Sequence, residues 1–374
     1  MFVPLTPSER HLTEPAATPD PSPRSRFRPV IWLVVGLALV DAVVVSFRDV
    51  WERHSPDDYS EKLDGCQSRP RDFVLAGGSP VAEGLDPAVV AGIHWRGEEL
   101  QNGYAIGLSG ATTSETYHAV VHGCPTPPRL LVYGITASDI NDARQEHHGP
   151  YSLMTVSDWA GWLRTKPETA EWVTRHYVQG RLSRCWAAFR YRHGIRMWAA
   201  ATADDWFPGC CPEATQEARR LLRYSAAIRN GNGYAPDEGF VSYRYDEAKV
   251  FGRKLPPFGF LDKYRTGAHL RYLHKLTDWA AAGGTELVLL DMPVTEDLEN
   301  KYSAAVAKYQ RRLAEFEADR GVTVLRATRE AVGLNDSHFA DLIHLNAVGA
   351  RTLSGWLRDR LAELDRRRGE GDRP

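Results

Sequence analysis

The segment from Asp72 to Gly84 reads DFVLAGGSPVAEG, and the fold is organised around it. The apolar run at 72–76 predicts a buried strand, and two glycines, Ser79 and Pro80 predict a tight turn into a helix. This places Ser79 at the carboxyl end of a strand, where open α/β sheets bind their ligands. Such a serine is a nucleophile if a base reaches it from elsewhere in the chain, and is otherwise a helix N-cap. On this segment alone, the N-cap interpretation is favoured.

The same order of strand, turn and helix recurs along the chain. A second apolar strand begins at Gly103 and ends in a glycine turn that leads into a helix near Thr113. Further strands are predicted at 129–134, 286–291 and 322–325, and helices at 266–282, at 302–319 and up to about Leu364. Alternation of this kind indicates βαβ units. We therefore predict an α/β fold, a three-layer parallel sheet that extends over 71–364.

Two regions depart from this alternation. The middle region, about 145–265, is rich in Trp, Tyr and Arg, and its apolar positions have helical spacing at 168–200. It predicts an aromatic-rich helical insertion whose aromatic side chains mainly form core. As an insertion beside a site, it is also a candidate lid or a groove that stacks on sugar rings. The arginine-rich C-terminal end, 365–374, predicts a solvated tail.

The N-terminal part of the chain has its own composition. Residues 1–28 are rich in Pro, Ser, Thr and Arg without periodicity, which predicts a disordered tail. The apolar run at 29–47 is near the lower length limit for a helix that spans a bilayer. A secretory signal peptide fits less well, because the preceding region is long and no small-x-small cleavage site follows. A buried core helix also fits less well, because the run is not amphipathic.

These features predict a single-pass protein of the cell membrane. The arginines that precede the apolar run favour a cytoplasmic N-terminus. A short stalk at 48–70 would then connect the membrane helix to a C-terminal domain outside the cytoplasm. The formal net charge of −2 argues against a nucleic-acid surface.

The five cysteines bear on metal sites and disulfides. None belongs to a CxxC pair, so no zinc site is predicted, and the sequence predicts no other metal or cofactor. Outside the cytoplasm, a disulfide between Cys66 and Cys124 is permitted. A bridge from Cys185 to the adjacent Cys210 and Cys211 is permitted as well, and the sequence does not choose between them.

A short segment before the last helix could supply a base to the serine. Asp341 and His344 lie three residues apart. For acyl transfer, a serine needs an imidazole within hydrogen-bond reach, and that imidazole needs an acceptor on its other nitrogen. Read alone, the segment is equally consistent with a capping aspartate and a surface histidine. The combination with the turn at Ser79 favours a catalytic group.

Taken together, these segments resemble the SGNH (GDSL-type) hydrolase superfamily over most of 72–362. The family's first block is similar to the turn that ends at Ser79, its second to LSGAT at 108–112, and its last to DLIHLNAVG at 341–349. The resemblance implies a flavodoxin-like sheet in which Ser79 is the nucleophile, His344 the base and Asp341 the residue that orients it. It also implies an oxyanion hole made by the amides of Ser79 and Gly110.

The third block departs from the family pattern. The family usually has Gly-x-Asn-Asp, whose asparagine is a further oxyanion donor, whereas this chain has GITASDIND at 134–142. Ser138 and Asn141 are the candidate replacements, and the alternative is that the donor is absent. Loss of one oxyanion donor typically reduces the rate by about 10²–10³.

The N-terminal anchor and the altered third block are similar to those of a divergent subgroup. It includes the D-alanine-transfer protein of teichoic acid operons and the acetylation proteins of bacterial exopolysaccharides. The resemblance implies a membrane-anchored acyl esterase or O-acyltransferase that acts on acyl, chiefly acetyl, esters of a cell-envelope glycan. Its partners would be the acylated glycan or acyl donor and a membrane-bound O-acyltransferase.

Two other functions are alternatives to this one. A catalytically weak or inactive SGNH-fold scaffold, assisting a membrane polysaccharide-modification complex, is supported by the altered third block and by the aromatic insertion. A phosphate-binding loop at 77–80 is disfavoured, because the segment lacks the lysine and the spacing of a P-loop.

Overall fold

A computed structural model describes residues 23–54, 58–144, 153–236 and 258–371. The chain divides into two compact units, residues 1–47 and 48–374. Most of the predicted disordered tail lies outside the described residues, as do the parts of the predicted insertion at 145–152 and 237–257 and the last three residues of the predicted C-terminal tail.

The described part of the first unit, residues 23–47, contains the apolar helix α1 (Pro23–Ser46). Its segment Pro29–Ser46 has a mean hydropathy of 2.3 and is only 6% buried, so it is long and apolar enough to cross a membrane. Residues 23–28, predicted as disordered, instead form the first turns of this helix. Helical structure continues past Pro29, although proline contributes no backbone N–H to the helix.

The second unit is built on a parallel five-stranded sheet in the order β4-β1-β5-β6-β7. A separate antiparallel hairpin, β2 with β3, precedes β4 and was missed from the sequence because each of its strands has only three residues. The strands are β1 (Phe73–Gly77), β2 (Ile93–Trp95), β3 (Glu98–Leu100), β4 (Gly103–Gly107), β5 (Leu130–Ile135), β6 (Glu286–Asp291) and β7 (Thr323–Arg326).

Helices cover both faces of the sheet, which confirms the predicted α/β class. They are α2 (Arg48–His54), α3 (Asp58–Gln67), α4 (Ser79–Gly84), α5 (Pro87–Val90), α6 (Thr113–Gly123), α7 (Val156–Thr165), α8 (Ala170–Cys185), α9 (Ala187–Arg190), α10 (Arg192–Trp206), α11 (Pro212–Asn230), α12 (Ala268–Ala282), α13 (Glu296–Lys301), α14 (Ser303–Arg320), α15 (Arg329–Val332) and α16 (Ala347–Gly371). Three short 3₁₀ turns lie at Pro167–Thr169, Gly259–Lys263 and Asp336–His338.

Alternate residues of the strands pack into two separate cores. Val74 and Ala76 of β1 face the core formed with α3, α6, α12 and α14. Phe73 and Leu75 face the opposite core, which includes side chains of α4 and α16. Because both faces are covered, every residue of β1, β4 and β5 is buried, as the continuous apolar runs in the sequence require.

The predicted stalk at 48–70 is wrong in both of its described halves. Residues 48–54 form α2, in which Trp51 is buried against Trp198 of α10. Residues 58–67 form α3, in which Leu63 and Cys66 belong to the core. Lys62 is fully buried and its ammonium group donates to the carbonyl of Gly107. The polar composition of this segment suggested a solvated connection, because only one narrow face of α3 is apolar.

The predicted C-terminal tail is also wrong where the structure describes it. Residues 365–371 continue α16, and Arg368 pairs with Glu286 at the start of β6. The arginine run therefore includes one residue that attaches the end of the helix to the sheet.

The described part of the predicted insertion consists of helices α7 to α11. Trp162 is buried against Tyr272 of α12, and Trp159 stacks on Tyr177 within the insertion. Trp162 belongs to the core, but Trp198 and Trp206 are 38% and 76% exposed, so the prediction that the aromatic side chains mainly form core holds for only part of the described insertion. The lid or sugar-binding groove remains a prediction.

Three glycines lie side by side at the carboxyl ends of the central strands. Gly77 of β1 is in register with Gly107 of β4 and with Gly134 of β5. A Cβ atom at Gly107 would lie 2.3 Å from the backbone nitrogen of Ala82, and one at Gly134 would lie 2.3 Å from Cγ2 of Val81. Side chains larger than hydrogen are excluded there, so this glycine row allows α4 to lie directly on the sheet.

The glycine row predicts a large effect of a small substitution. Gly107→Ala is expected to lower the free energy of unfolding by about 1–3 kcal/mol, because the added methyl group overlaps the backbone of α4. Urea unfolding of the full chain in detergent measures the change. Gly355→Ala is the control, because open space surrounds Gly355 within α16 and alanine favours a helix by about 1 kcal/mol. Equal stability of the two variants would contradict the close approach of α4.

Candidate active site

Ser79 is the first residue of α4 and lies at the topological switch point of the sheet. If the five parallel strands are numbered in chain order without the hairpin, their order across the sheet is 2-1-3-4-5. The direction of winding reverses between β1 and β5. Ligands bind at such points in doubly wound sheets. Gly78 is the N-cap of α4, and its carbonyl accepts hydrogen bonds from the amides of Val81 and Ala82 at 3.1 and 3.2 Å. The N-cap interpretation of Ser79 is therefore wrong.

The histidine loop, residues 339–345, comes from the other end of the chain. Phe339 and Leu345 form an antiparallel bridge at its base, and both side chains are buried. The carbonyl of Leu342 accepts hydrogen bonds from the amide and hydroxyl of Thr295, at 3.0 and 3.2 Å. The loop is closed at its base and fixed at its tip, which limits the movement of the two polar residues that it carries.

Ser79, His344 and Asp341 form a continuous chain of hydrogen bonds. Oγ of Ser79 lies 2.8 Å from Nε2 of His344, and Nδ1 of His344 lies 2.7 Å from Oδ2 of Asp341. A carboxylate only accepts, so the network assigns the imidazole proton to Nδ1 and leaves Nε2 to accept the serine hydroxyl proton. This is the arrangement that activates a serine as a nucleophile.

The carboxylate of Asp341 is held in place from two sides. Its Oδ1 accepts hydrogen bonds from the amides of Ile343 and His344, at 2.9 and 2.8 Å, while Oδ2 faces the imidazole. Burial raises the pKa of Asp341, but the hydrogen bond from the His344 ring and the two amide bonds lower it by more. The net effect is a pKa below the usual value, so the carboxyl group is ionised at neutral pH.

The turn that contains Gly110 packs beside the Ser79 turn. Gly110 has φ of +72°, a conformation that favours glycine. The amide of Leu108 donates to the carbonyl of Gly77 at 3.0 Å. A Cβ atom on Gly78 would lie 3.1 Å from the carbonyl oxygen of Ala111. The predicted oxyanion turn and the predicted nucleophile turn are therefore in direct contact.

No family model matches this chain, and no curated protein matches it. Within the ranges that the structure describes, no group of three or more His, Cys, Asp or Glu side chains is placed to hold a metal ion.

The structure does not bring Asn141 into the group of polar residues around Ser79. Asn141 is fully buried, and its Nδ2 donates to the carbonyl of Phe260 at 3.1 Å. Its Oδ1 accepts from the amides of Ala143 and Arg265, at 3.0 and 3.1 Å. These bonds attach the third loop, the residues 136–142 that follow β5, to the last part of the insertion, which gives Asn141 a structural function.

Ser138 lies in the third loop with Thr136 and Asp139. The hydroxyls of Ser138 and Thr136 are 2.7 Å apart, and Oδ2 of Asp139 accepts from the amide and hydroxyl of Thr136 at 2.7 and 2.9 Å. Because the Thr136 hydroxyl donates to Asp139, Ser138 is the donor in the pair of hydroxyls. The proton of Ser138 is thus used within the loop in this arrangement.

Arg144, which lies beside this loop, was not identified from the sequence. Its side chain is only 12% exposed and forms an ion pair with Asp139, with Nη1 3.2 Å from Oδ1. No spacing rule identifies such an arginine, because its partners come from different turns that meet only in the folded chain.

Asp341→Asn is expected to lower the rate of reaction of Ser79 by about 10⁴, the loss seen for such a change in serine protease triads. Asparagine can still accept the two backbone amides, but its NH₂ group then faces Nδ1 of His344. The imidazole proton moves to Nε2, which can no longer accept the proton of Ser79. The measurement is the rate of covalent labelling by a fluorophosphonate.

Asp336→Asn serves as the control for this change, because Asp336 is an exposed aspartate in the 3₁₀ turn shortly before the histidine loop. Labelling of folded Asp341→Asn at the wild-type rate would show that Asp341 does not orient the base.

Proposed function

We propose that this protein is a membrane-anchored serine esterase or O-acyltransferase of the SGNH type, which acts on acyl esters of a cell-envelope glycan. The observation that carries the proposal is the hydrogen-bonded sequence of Ser79, His344 and Asp341 at the switch point of a parallel sheet. The resemblance of the three sequence blocks to that superfamily gives independent support.

The geometry supports a two-step acyl transfer. His344 Nε2 takes the proton of Ser79 as Oγ forms a bond to the acyl carbon of the ester. The protonated imidazole, stabilised by Asp341, then gives this proton to the departing alcohol oxygen, which leaves an acyl group on Ser79. In the second step, His344 takes a proton from water or from a sugar hydroxyl, whose oxygen attacks the acyl carbon. The imidazole then returns this proton to Oγ of Ser79 as the bond between Oγ and the acyl carbon breaks.

Stabilisation of the tetrahedral intermediate is assigned to backbone amides. The amides of Ser79 and Gly110 are the proposed donors to its oxyanion, because their two turns are in contact beside the nucleophile. Asn141 is not part of this proposal, since its side chain binds backbone groups elsewhere.

A small cavity lies near the proposed site at the same edge of the sheet. It has a volume of about 70 Å³ and lies at the carboxyl ends of β5 and β6. Ile343, Met292 and Val294 line it together with charged side chains such as Asp291, Glu299 and Arg329, and neither Ser79 nor His344 is among its lining residues. The acetyl ester is therefore proposed from the resemblance to the acetylation proteins and not from this cavity.

The apolar helix α1 supports the proposed location. A catalytic domain tethered to a membrane by such a helix, with its N-terminus in the cytoplasm, would meet envelope polymers and a membrane-bound O-acyltransferase at the outer surface. Transfer to a sugar hydroxyl and hydrolysis share the first step and differ only in the acceptor.

Fluorophosphonate labelling tests the proposal directly. The full chain in detergent is expected to become labelled, and both Ser79→Ala and His344→Ala are expected to abolish labelling. Ser79→Ala removes the attacking oxygen, and His344→Ala removes the group that takes its proton. Gel fluorescence and mass spectrometry of the modified peptide measure the reaction.

Ser157→Ala and His94→Ala are the matched controls, since both residues are exposed and lie in other elements, Ser157 in α7 and His94 in β2. Both are expected to retain labelling. Absence of labelling in the folded wild-type protein would overturn the catalytic proposal and favour the SGNH-fold scaffold. In a labelled protein, release of acetate with and without an added oligosaccharide acceptor separates the esterase from the transferase.

A further inference from the structure

The guanidinium of Arg144, which is largely buried, links the loops that follow β1, β4 and β5. Nη2 of Arg144 donates to the carbonyl of Gly110 at 2.7 Å, in the turn that supplies a proposed oxyanion amide. Nη1 of the same guanidinium pairs with Oδ1 of Asp139 at 3.2 Å. Oδ1 of Asp139 in turn lies 3.2 Å from the position that a Cβ atom on Gly78 would take. The pair of Arg144 and Asp139 thus contacts the turn of Gly110, the third loop and Gly78, the residue before Ser79.

This pair is built into the protein rather than placed on its surface. The Asp139 side chain is 2% exposed and that of Arg144 is 12% exposed. The second carboxylate oxygen of Asp139 is satisfied by Thr136, through its amide and its hydroxyl. A buried ion pair needs such additional hydrogen bonds to offset the loss of hydration, and removal of one partner leaves the other charge uncompensated.

The hydrogen bond from Arg144 to the carbonyl of Gly110 restricts the orientation of the Gly110 turn. A guanidinium presents several donors in a fixed plane, so it can hold two acceptors at a set separation. Here the two acceptors are a peptide carbonyl in the turn with positive φ and a carboxylate beside Gly78. Their separation determines how the two proposed oxyanion amides face each other.

We propose that Arg144 is the positioning residue of the oxyanion hole, and that its charge favours the negative oxygen of the tetrahedral intermediate. This inference rests on the proposed acyl-transfer function. Arg144 fixes the Gly110 turn against the turn of Gly78 and Ser79 through Asp139. It thereby compensates for the side-chain donor that the third loop does not direct to the site.

The test compares Arg144→Ala and Arg144→Lys with the wild-type full chain in detergent, using hydrolysis of p-nitrophenyl acetate. Arg144→Ala is expected to lower kcat by about 10–100-fold with KM within about 3-fold, because oxyanion stabilisation acts in the transition state. Arg144→Lys keeps the charge but cannot hold both acceptors. Its kcat is expected to lie between those of the wild type and Arg144→Ala. Addition of guanidinium at millimolar concentration is expected to restore part of the kcat of Arg144→Ala.

Arg326→Ala is the matched control, because it removes another arginine–carboxylate pair, with Glu317, from the end of β7. Its kcat is expected to equal that of the wild type. If the wild type hydrolyses the ester and folded Arg144→Ala has the same kcat, the inference fails while the proposed function stands. An inert wild type, unlabelled by fluorophosphonate, overturns both. If Arg144→Ala does not fold, an unchanged kcat in folded Arg144→Gln, which removes the charge and the paired guanidinium donors but keeps one NH₂ group, overturns the inference.

A second and independent inference concerns two buried cysteines. Sγ of Cys66 in α3 lies 3.5 Å from Sγ of Cys124, the residue that ends α6. The side chains are 1% and 4% exposed. A disulfide bond requires an S–S distance of about 2.05 Å, which adjustment of two side chains in contact can reach. Cys185 and Cys210 are exposed instead.

We infer that the free thiols of Cys66 and Cys124 become a disulfide in the cell, an inference that rests on the proposed location of the domain outside the cytoplasm. The two thiols lose two protons and two electrons, and the disulfide of a thiol–disulfide oxidoreductase outside the cytoplasm accepts them and becomes a dithiol. The new bond joins α3 to the end of α6. It closes a loop between residues 58 positions apart, which restricts the unfolded chain.

Mass spectrometry of the full chain purified from membranes, after alkylation without reductant, tests the bond. A linked pair of peptides containing Cys66 and Cys124 is expected, and it should separate after reduction. The double variant with alanine at both positions is expected to lower Tm by about 10 °C, whereas Cys185→Ser should not change it. Recovery of both residues as alkylated free thiols in membrane-derived protein would overturn the inference.

Discussion

The close approach of α4 to the sheet is the constraint on which the site depends. Gly107 and Gly134 leave no space between the backbone of the sheet and residues 81–82 of the helix. The start of α4 is therefore fixed relative to the ends of β4 and β5, and with it the hydroxyl of Ser79. A helix held at an ordinary distance by side chains would place this serine farther from the loops that follow the other strands.

Parallel pairing then explains how distant parts of the chain meet. The carboxyl ends of the strands lie at one edge, so the loops that follow β1, β4 and β5 converge there. Ser79 and His344 are 265 residues apart and yet form a hydrogen bond. The bridge between Phe339 and Leu345 and the contact of Thr295 with Leu342 set the position of the histidine loop, so the triad depends on core contacts as much as on its own bonds.

The sequence allowed Ser79, Asp341 and His344 to be chosen because each follows a recognisable break in an apolar or helical pattern. Strand β6 was predicted at its observed bounds, since a continuous apolar run flanked by polar residues has few alternative interpretations. Helix α3 was not recognised as part of the domain, because Lys62 is buried through one long-range bond to Gly107. Arg144 was missed for the same reason: its partners are close in space and defined only by the fold.

The longer third loop has a structural explanation that connects these observations. The predicted insertion leaves the sheet directly after this loop, and the chain returns to it near Arg265. Asn141 binds the backbone of Phe260 and Arg265, and Asp142 accepts the amides of Ala268 and His269 at the start of α12.

Asn141 and Asp142 therefore hold the segment that leads into α12. Because its side chain makes these bonds, Asn141 cannot also donate to the proposed oxyanion. The same loop turns Asp139 toward Gly78, where a carboxylate beside the oxyanion of the proposed mechanism would be unfavourable without a cation. Arg144 pairs with this carboxylate, so in the proposed mechanism the altered third block and the largely buried arginine act together.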